Sequence, residues 1–204
     1  MLDVGKQRLG AAVKAVEART CAEVVVAVQP WSASWAAVDC AVGAVLSEAA
    51  LLYTLYAPQE FGLLWIALIV PTAFALGFVL SRVLPGLRMR LAGPDRVRTA
   101  VEQAARARFV ELGVANTRGR TGVLVYFSLT ERAAAVVIDV GVKARVDEAA
   151  WAKAVARIQD SVALHGVREA GLATASEAVQ ALAEVLEGPL PRAADDVNEL
   201  EDVA

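Results

Sequence analysis

Hydrophobic and polar positions change regime twice along the chain. Leu9, Val13 and Val16 recur at helical spacing, which predicts an amphipathic helix of a few turns before Thr20. Ala22 to Val28 then reads as a strand: Val24, Val25, Val26 and Val28 make it β-branched and almost continuously apolar, as in a strand covered on both faces. Two long apolar runs follow, Ala36 to Tyr56 and Phe61 to Val83, joined by Ala57, Pro58, Gln59 and Glu60. Each reaches the roughly 20 residues that a helix needs to cross a hydrocarbon core, and the connector suffices for a tight turn between antiparallel spans.

After Gly93 and Pro94 the half-buried pattern returns. Val97, Val101, Ala105, Phe109 and Leu112 lie on one stripe from Asp95 onward and predict a second amphipathic helix, closed by Gly113. Val123 to Leu129 and Ala133 to Ile138 predict two strands joined by a hairpin turn at Thr130, Glu131 and Arg132. Trp151, Val155, Ile158 and Val162 mark a third helix starting near Asp147. Leu172, Val179, Leu182 and Leu186 mark a fourth, ended by Gly188, Pro189 and Pro191. The first strand has no neighbour before the apolar runs, so its partners must come after them. The expected fold is α/β: residues 1–34 give the first helix and strand of a small domain, 35–84 a transmembrane helical hairpin, and 94–190 the remainder. Residues 191–204, with Asp195, Asp196, Glu199, Glu201 and Asp202, read as a solvated acidic tail.

Charge sets the expected orientation. The turn between the runs carries no Lys or Arg, whereas Arg82, Arg88, Arg90, Arg96 and Arg98 follow the second run and Lys6, Arg8, Lys14 and Arg19 precede the first. Basic residues are retained on the cytoplasmic side, so both termini and the α/β domain are expected there, with only the turn outside. The first run lies well inside the chain and lacks a cleavage pattern, which reads as a permanent anchor. Arg far outnumbers Lys and Ala and Val abound, a composition of GC-rich bacterial genomes, so the expected location is a bacterial plasma membrane. A net charge of −3 over 204 residues argues against nucleic acid as a partner. Cys21 and Cys40 offer neither a disulfide framework nor a zinc spacing and are expected to be small buried residues.

Glu48 is the anomaly of the first run. An acid at mid-membrane depth costs roughly 2.5 to 3.5 kcal/mol, so it needs a proton, water or a partner. It is expected either to hydrogen-bond within the hairpin or to dock on another membrane protein. Ala36, Cys40, Gly43, Ser47, Ala50 and Thr54 form a small-residue stripe on the first run, and Ala73, Gly77 and Ser81 one on the second, through which the helices can approach closely. Asp39 is the only other acid there.

The segments Glu17-Ala-Arg-Thr-Cys-Ala-Glu-Val-Val-Val26 and Thr121-Gly-Val-Leu-Val-Tyr-Phe-Ser-Leu-Thr-Glu-Arg132, with Trp151 and the tail Asp195-Asp-Val-Asn-Glu-Leu200, resemble the TPM domain family, and more narrowly its bacterial membrane branch, in which a two-span hairpin follows the first strand. The resemblance covers essentially the whole chain. It implies a small α/β/α sandwich interrupted by the hairpin, and for activity a mixed picture of phosphatases, photosystem repair factors and auxiliary partners of membrane proteins. In soluble relatives an Asp-Asn-Gly turn before the second strand, acids in the next turn and an acid opening the next helix make a carboxylate cluster suited to a hard cation such as Ca²⁺ or Mg²⁺. The matching positions here are Arg120, Thr121 and Gly122, then Glu131 and Asp147. Arg120 puts a positive charge where a cation would sit. Glu131 also reads as an exposed turn residue, Asp147 as a helix N-cap, and Asp139 as a turn former before Gly141 or a functional group at a strand end. His165 before Gly166 suits a helix C-terminus, and Arg118, Gly119 and Arg120 read as a solvated turn without the order of a phosphate-binding loop. With Glu131, Asp139 and Asp147 as the catalytic candidates, the leading expectation is a non-catalytic accessory or assembly module of a larger membrane complex, without cofactor. The alternative is a metal-dependent phosphatase acting near the membrane.

Overall fold

The computed structural model describes residues 2–165, 169–192, 200 and 203. It divides into two compact units, one formed by residues 1–32 and 98–204 and the other by residues 33–97.

In the first unit, α1 (Leu2–Glu17) leads into β1 (Glu23–Gln29), and α5 (Pro94–Glu111) enters it partway along. A short 3₁₀ turn (Val114–Asn116) precedes β2 (Gly122–Ser128) and β3 (Ala133–Ile138), then α6 (Val140–Lys143), α7 (Glu148–His165), α8 (Glu169–Gln180) and α9 (Leu182–Leu186). The strands form one sheet in the order β1-β2-β3. β1 pairs with β2 in parallel, from Glu23 opposite Gly122 to Gln29 opposite Ser128, and β2 pairs with β3 antiparallel. A parallel pair needs a long crossover, and here everything between Gln29 and Gly122 serves as one.

Alternation along the strands divides the core. Val24, Val26, Val123, Val125, Phe127 and Ala134 face one side, where they pack with Leu9, Val13 and Val16 of α1, Ile158 and Val162 of α7, and residues of α8 and α9. Val25, Ala27, Leu124 and Tyr126 point the other way and are equally buried, so β2 is buried at all seven positions. α5 turns Val101, Ala105 and Phe109 inward.

Several sequence expectations change at their edges. The fourth predicted helix is two, because the chain turns at Ala181 between α8 and α9. The short α6 between Asp139 and Ala144 was not anticipated, since four residues carry no readable period. The acidic run Asp195, Asp196, Glu199, Glu201 and Asp202 lies outside the described residues. Val203, however, bridges in parallel to Val26 and packs against the core, so the chain's end is not wholly solvated.

The second unit holds α2 (Ala36–Tyr56), α3 (Leu63–Val83) and α4 (Pro85–Ala92). α2 and α3 are long and apolar enough to cross a membrane, and only 17% and 11% of their most apolar windows are buried, the reverse of a soluble protein's core helix. Their seam consists of small residues. A Cβ on Gly77 would lie 2.9 Å from the Gly43 Cα and from the Val42 carbonyl oxygen, so the backbones are in contact there. The Ser47 hydroxyl donates to the Val70 carbonyl at 3.2 Å, next to Pro71, which has no N–H to continue the α3 ladder. Ala36 and Cys40, expected in this stripe, are exposed, and Cys21 is only partly buried. At this end the seam passes through Asp39 instead, which is fully buried and bonded to α3 and α4.

Gly77→Val should therefore push the two helices apart, costing about 1–3 kcal/mol as overpacking does. Gly86→Ala, in α4 with open space around it, should be neutral or stabilising by up to about 1 kcal/mol. Thermal unfolding of the detergent-solubilised protein checks the pair; equal effects would mean that the close approach is not what holds the hairpin.

Candidate functional site

Two polar clusters occupy opposite ends of the sheet. At the end where β1 stops, Pro30, Trp31 and Ser32 run beside the β2–β3 turn. The Leu129 N–H donates to the Gln29 carbonyl at 3.0 Å, and the N–H and hydroxyl of Thr130 both donate to the Pro30 carbonyl, at 3.0 and 2.6 Å. The Glu131 carboxylate closes this arrangement. It accepts from the Ser128 hydroxyl at 2.5 Å and from the Ser32 N–H at 3.1 Å, and Glu131 is only 6% exposed. The expectation of an exposed turn residue is corrected here: donors from two separate strand ends draw the carboxylate inward. Its charge is satisfied by those donors, as a buried carboxylate requires.

Tyr126 sits beside it, with its phenol oxygen 3.2 Å from the Ser32 hydroxyl. Burial pushes the Tyr126 pKa above its ordinary 10.0. The Ser32 hydrogen bond counters that shift, the Glu131 charge adds to it, and Arg108 of α5 opposes it.

At the other end, Asp139 is buried and caps α6 by accepting the Val140 N–H at 2.6 Å. Its second carboxylate oxygen lies 3.0 Å from Arg120 Nε. Arg120 takes a left-handed backbone conformation, φ 53°, which costs an L-residue other than Gly, Asn or Asp roughly 1–2 kcal/mol. The ion pair with Asp139 and a bond from Arg120 Nη1 to the Ala115 carbonyl offset that strain. A Cβ at Gly141 would lie 2.5 Å from the Arg120 carbonyl oxygen, so the backbone of this turn lies close against α6, while Arg118, Gly119 and Arg120 are themselves exposed, as expected of a solvated turn. Asp147 accepts the Ala150 N–H at 2.8 Å, the N-cap of α7.

The three candidate acids are therefore not brought together. Glu131 precedes β3 and Asp139 follows it, and six residues of strand put roughly 20 Å between its ends. Among the described residues no group of three His, Cys, Asp or Glu side chains is placed to hold a metal ion. Gly166 and the side chain of His165 lie outside the described residues.

In the second unit Glu48 is exposed and has no hydrogen bond or ion pair to any described residue, so the bond expected within the hairpin is not made. Glu48 projects from the side of α2 turned away from the Gly43–Gly77 seam. The acid that does bond within the hairpin is Asp39. It accepts from the Ser81 hydroxyl at 2.8 Å and pairs with Arg88 Nη2 at 2.7 Å, tying α4 to both long helices. Sequence reading passed over this triad, although a lone acid at the start of one apolar run and a basic residue just past the end of the next was a readable signal.

The chain matches no protein-family model and no curated protein. It is similar to a solved structure, the NMR structure of BA42 protein from the psychrophilic bacterium Bizionia argentinensis sp. nov., with a TM-score of 0.56. The likeness covers 98% of this chain and 92% of that one at 14% identity, so what the two share is the fold.

The raised Tyr126 pKa gives a testable pH dependence. A folded-state pKa above 10.0 makes a stabilising contribution that is complete below that pH and lost as pH rises through the folded value. At neutral pH Tyr126→Phe should cost about 1 kcal/mol through the lost bond to Ser32. The gap between wild type and variant should narrow above pH 10. Denaturant unfolding of the full chain at both pH values measures it, and a constant gap would refute the buried phenol.

Proposed function

We propose that the chain is a membrane-anchored protein with a TPM-like α/β/α sandwich on the cytoplasmic side, and that it serves as a non-catalytic accessory or assembly module of a larger membrane complex. The observation that carries this reading is Glu48. It lies near the middle of a helix long and apolar enough to span a bilayer, faces outward, and is unpartnered among the described residues. An acid so placed costs a few kcal/mol in lipid alone, and a polar group from a neighbouring helix offsets that cost. Exposed Val45, Leu52, Leu55, Leu64, Leu68 and Leu76 surround the hairpin with an apolar surface that suits lipid. Tyr53, Tyr56 and Trp65 near the α2–α3 turn suit a membrane–water interface.

A metal-dependent phosphatase draws less support. Glu131 is held by two donors, Asp139 by Arg120 and the α6 cap, and Asp147 by its own cap, so each acid already has a structural task. Phosphoryl chemistry with a hard cation wants several carboxylates in one place.

Sidedness is open to direct measurement. In a Cys21→Ala, Cys40→Ala background, a cysteine at Gln59 should react with a membrane-impermeant maleimide on intact cells and one at Gly93 should not; the opposite pattern would sink the two-span topology. A docking role for Glu48 predicts that Glu48→Leu lowers retention of co-purifying membrane proteins about threefold to tenfold, the scale of an intramembrane hydrogen bond. Glu48→Gln should keep most of it. Quantitative mass spectrometry after gentle detergent extraction reads both, and full retention by the Leu variant would remove the docking role.

A further inference from the structure

An apolar groove of about 400 Å³ lies along α2 from Ala37 to Leu46 and is lined at one end by Leu91 of α4 and by Arg96. Its floor along α2 is nine residue steps long, about 14 Å at 1.5 Å per residue. One leaflet of a hydrocarbon core about 30 Å thick is about 15 Å deep. The groove opens at the end of the hairpin where Arg82, Arg88 and Arg90 cluster and runs from there towards mid-span.

The cation at its mouth has no partner among the described residues. Arg96 is exposed and makes no hydrogen bond or ion pair to a described residue, whereas Arg88 is taken up by Asp39. Asp95 precedes Arg96 in sequence but has an interaction of its own. An unpaired guanidinium above an apolar slot is complementary to a ligand with a phosphate head and a hydrocarbon tail, since Arg binds phosphate through a fork of N–H donors.

We propose that this groove is a binding site for one anionic phospholipid, its phosphate held by Arg96 and an acyl chain laid along Ala41, Val45 and Leu46. This rests on the reading of α2 and α3 as membrane spans. The size of the groove favours a lipid chain over a partner helix, because a helix about 10 Å across and equally long occupies on the order of 1,000 Å³. The charge favours an anionic head over a zwitterionic one, because one basic side chain near a membrane surface contributes about 1 kcal/mol towards anionic lipid.

The test uses the full chain reconstituted in phosphatidylcholine bilayers containing a minority of phosphatidylglycerol, followed by mild extraction and native mass spectrometry of retained lipid. Phosphatidylglycerol should be enriched over phosphatidylcholine, and Arg96→Gln should cut that enrichment about fivefold, the factor that 1 kcal/mol represents. Ala41→Trp, which fills the groove, should expel lipid of either head group without loss of helical content. Equal retention of the two lipids, or no change in Arg96→Gln, overturns the site. If Ala41→Trp instead removes a co-purifying membrane protein and leaves phosphatidylglycerol in place, the occupant is a partner helix and the lipid assignment fails. Carbonate extraction separates the two levels: a chain released into the supernatant defeats the membrane reading, while a chain that stays in the pellet without lipid preference defeats only the groove.

Discussion

Because Glu23–Gln29 and Gly122–Ser128 pair in parallel, the chain must leave β1 at one end of the sheet and return to begin β2 at the other. Antiparallel strands can be joined by a two-residue turn; a parallel pair cannot, and whatever lies between must bring the chain back. The paired helices α2 and α3 do not make that return by themselves, because a helical hairpin ends near where it began. α5, 18 residues and about 27 Å long, is long enough to run the length of a seven-residue strand of about 23 Å.

The exit from β1 is secured by hydrogen bonds of its own. Thr130 donates twice to the Pro30 carbonyl, Glu131 accepts from Ser32, and Tyr126 meets the Ser32 hydroxyl, so the last residues before the hairpin are fastened to the β2–β3 turn. The second unit is secured in the same manner at its own base, where Asp39 joins Ser81 and Arg88. Both arrangements place a buried carboxylate among donors from separate elements, and removing one partner from such a set costs far more than the set adds in net stability. The two carboxylates hold junctions of the chain, whereas Glu48 has no partner among the described residues.

The positions that link fold to chemistry are those where local preference is overruled. Arg120 is held in a left-handed conformation that its side chain disfavours, and it is kept there by Asp139 and the close backbone approach of Gly141. At this turn the strained arginine reaches across to the acid that follows β3. A positive charge and a negative one that neutralise each other at 3.0 Å form a structural pair and leave little field for a third ion.

From the sequence alone, helical periodicity located α1, α5 and α7, because each is long enough for a period of 3.6 to repeat, while short apolar runs located the three strands and the length of the apolar runs located α2 and α3. The small-residue seam was legible at Gly43, Ser47 and Gly77, since only small side chains allow helices to touch. Asp147 could be read as a cap, because capping depends on neighbours three residues away. Tertiary structure alone decided the burial of Glu131, the pairing of Asp139 with Arg120, the triad around Asp39 and the outward face of Glu48. Each depends on which residues distant in sequence share a neighbourhood. Ser32 lies 99 residues from Glu131 and Arg88 lies 49 from Asp39. A local pattern fixes the direction of a side chain relative to its own helix or strand; what stands opposite it is set by how the elements pack.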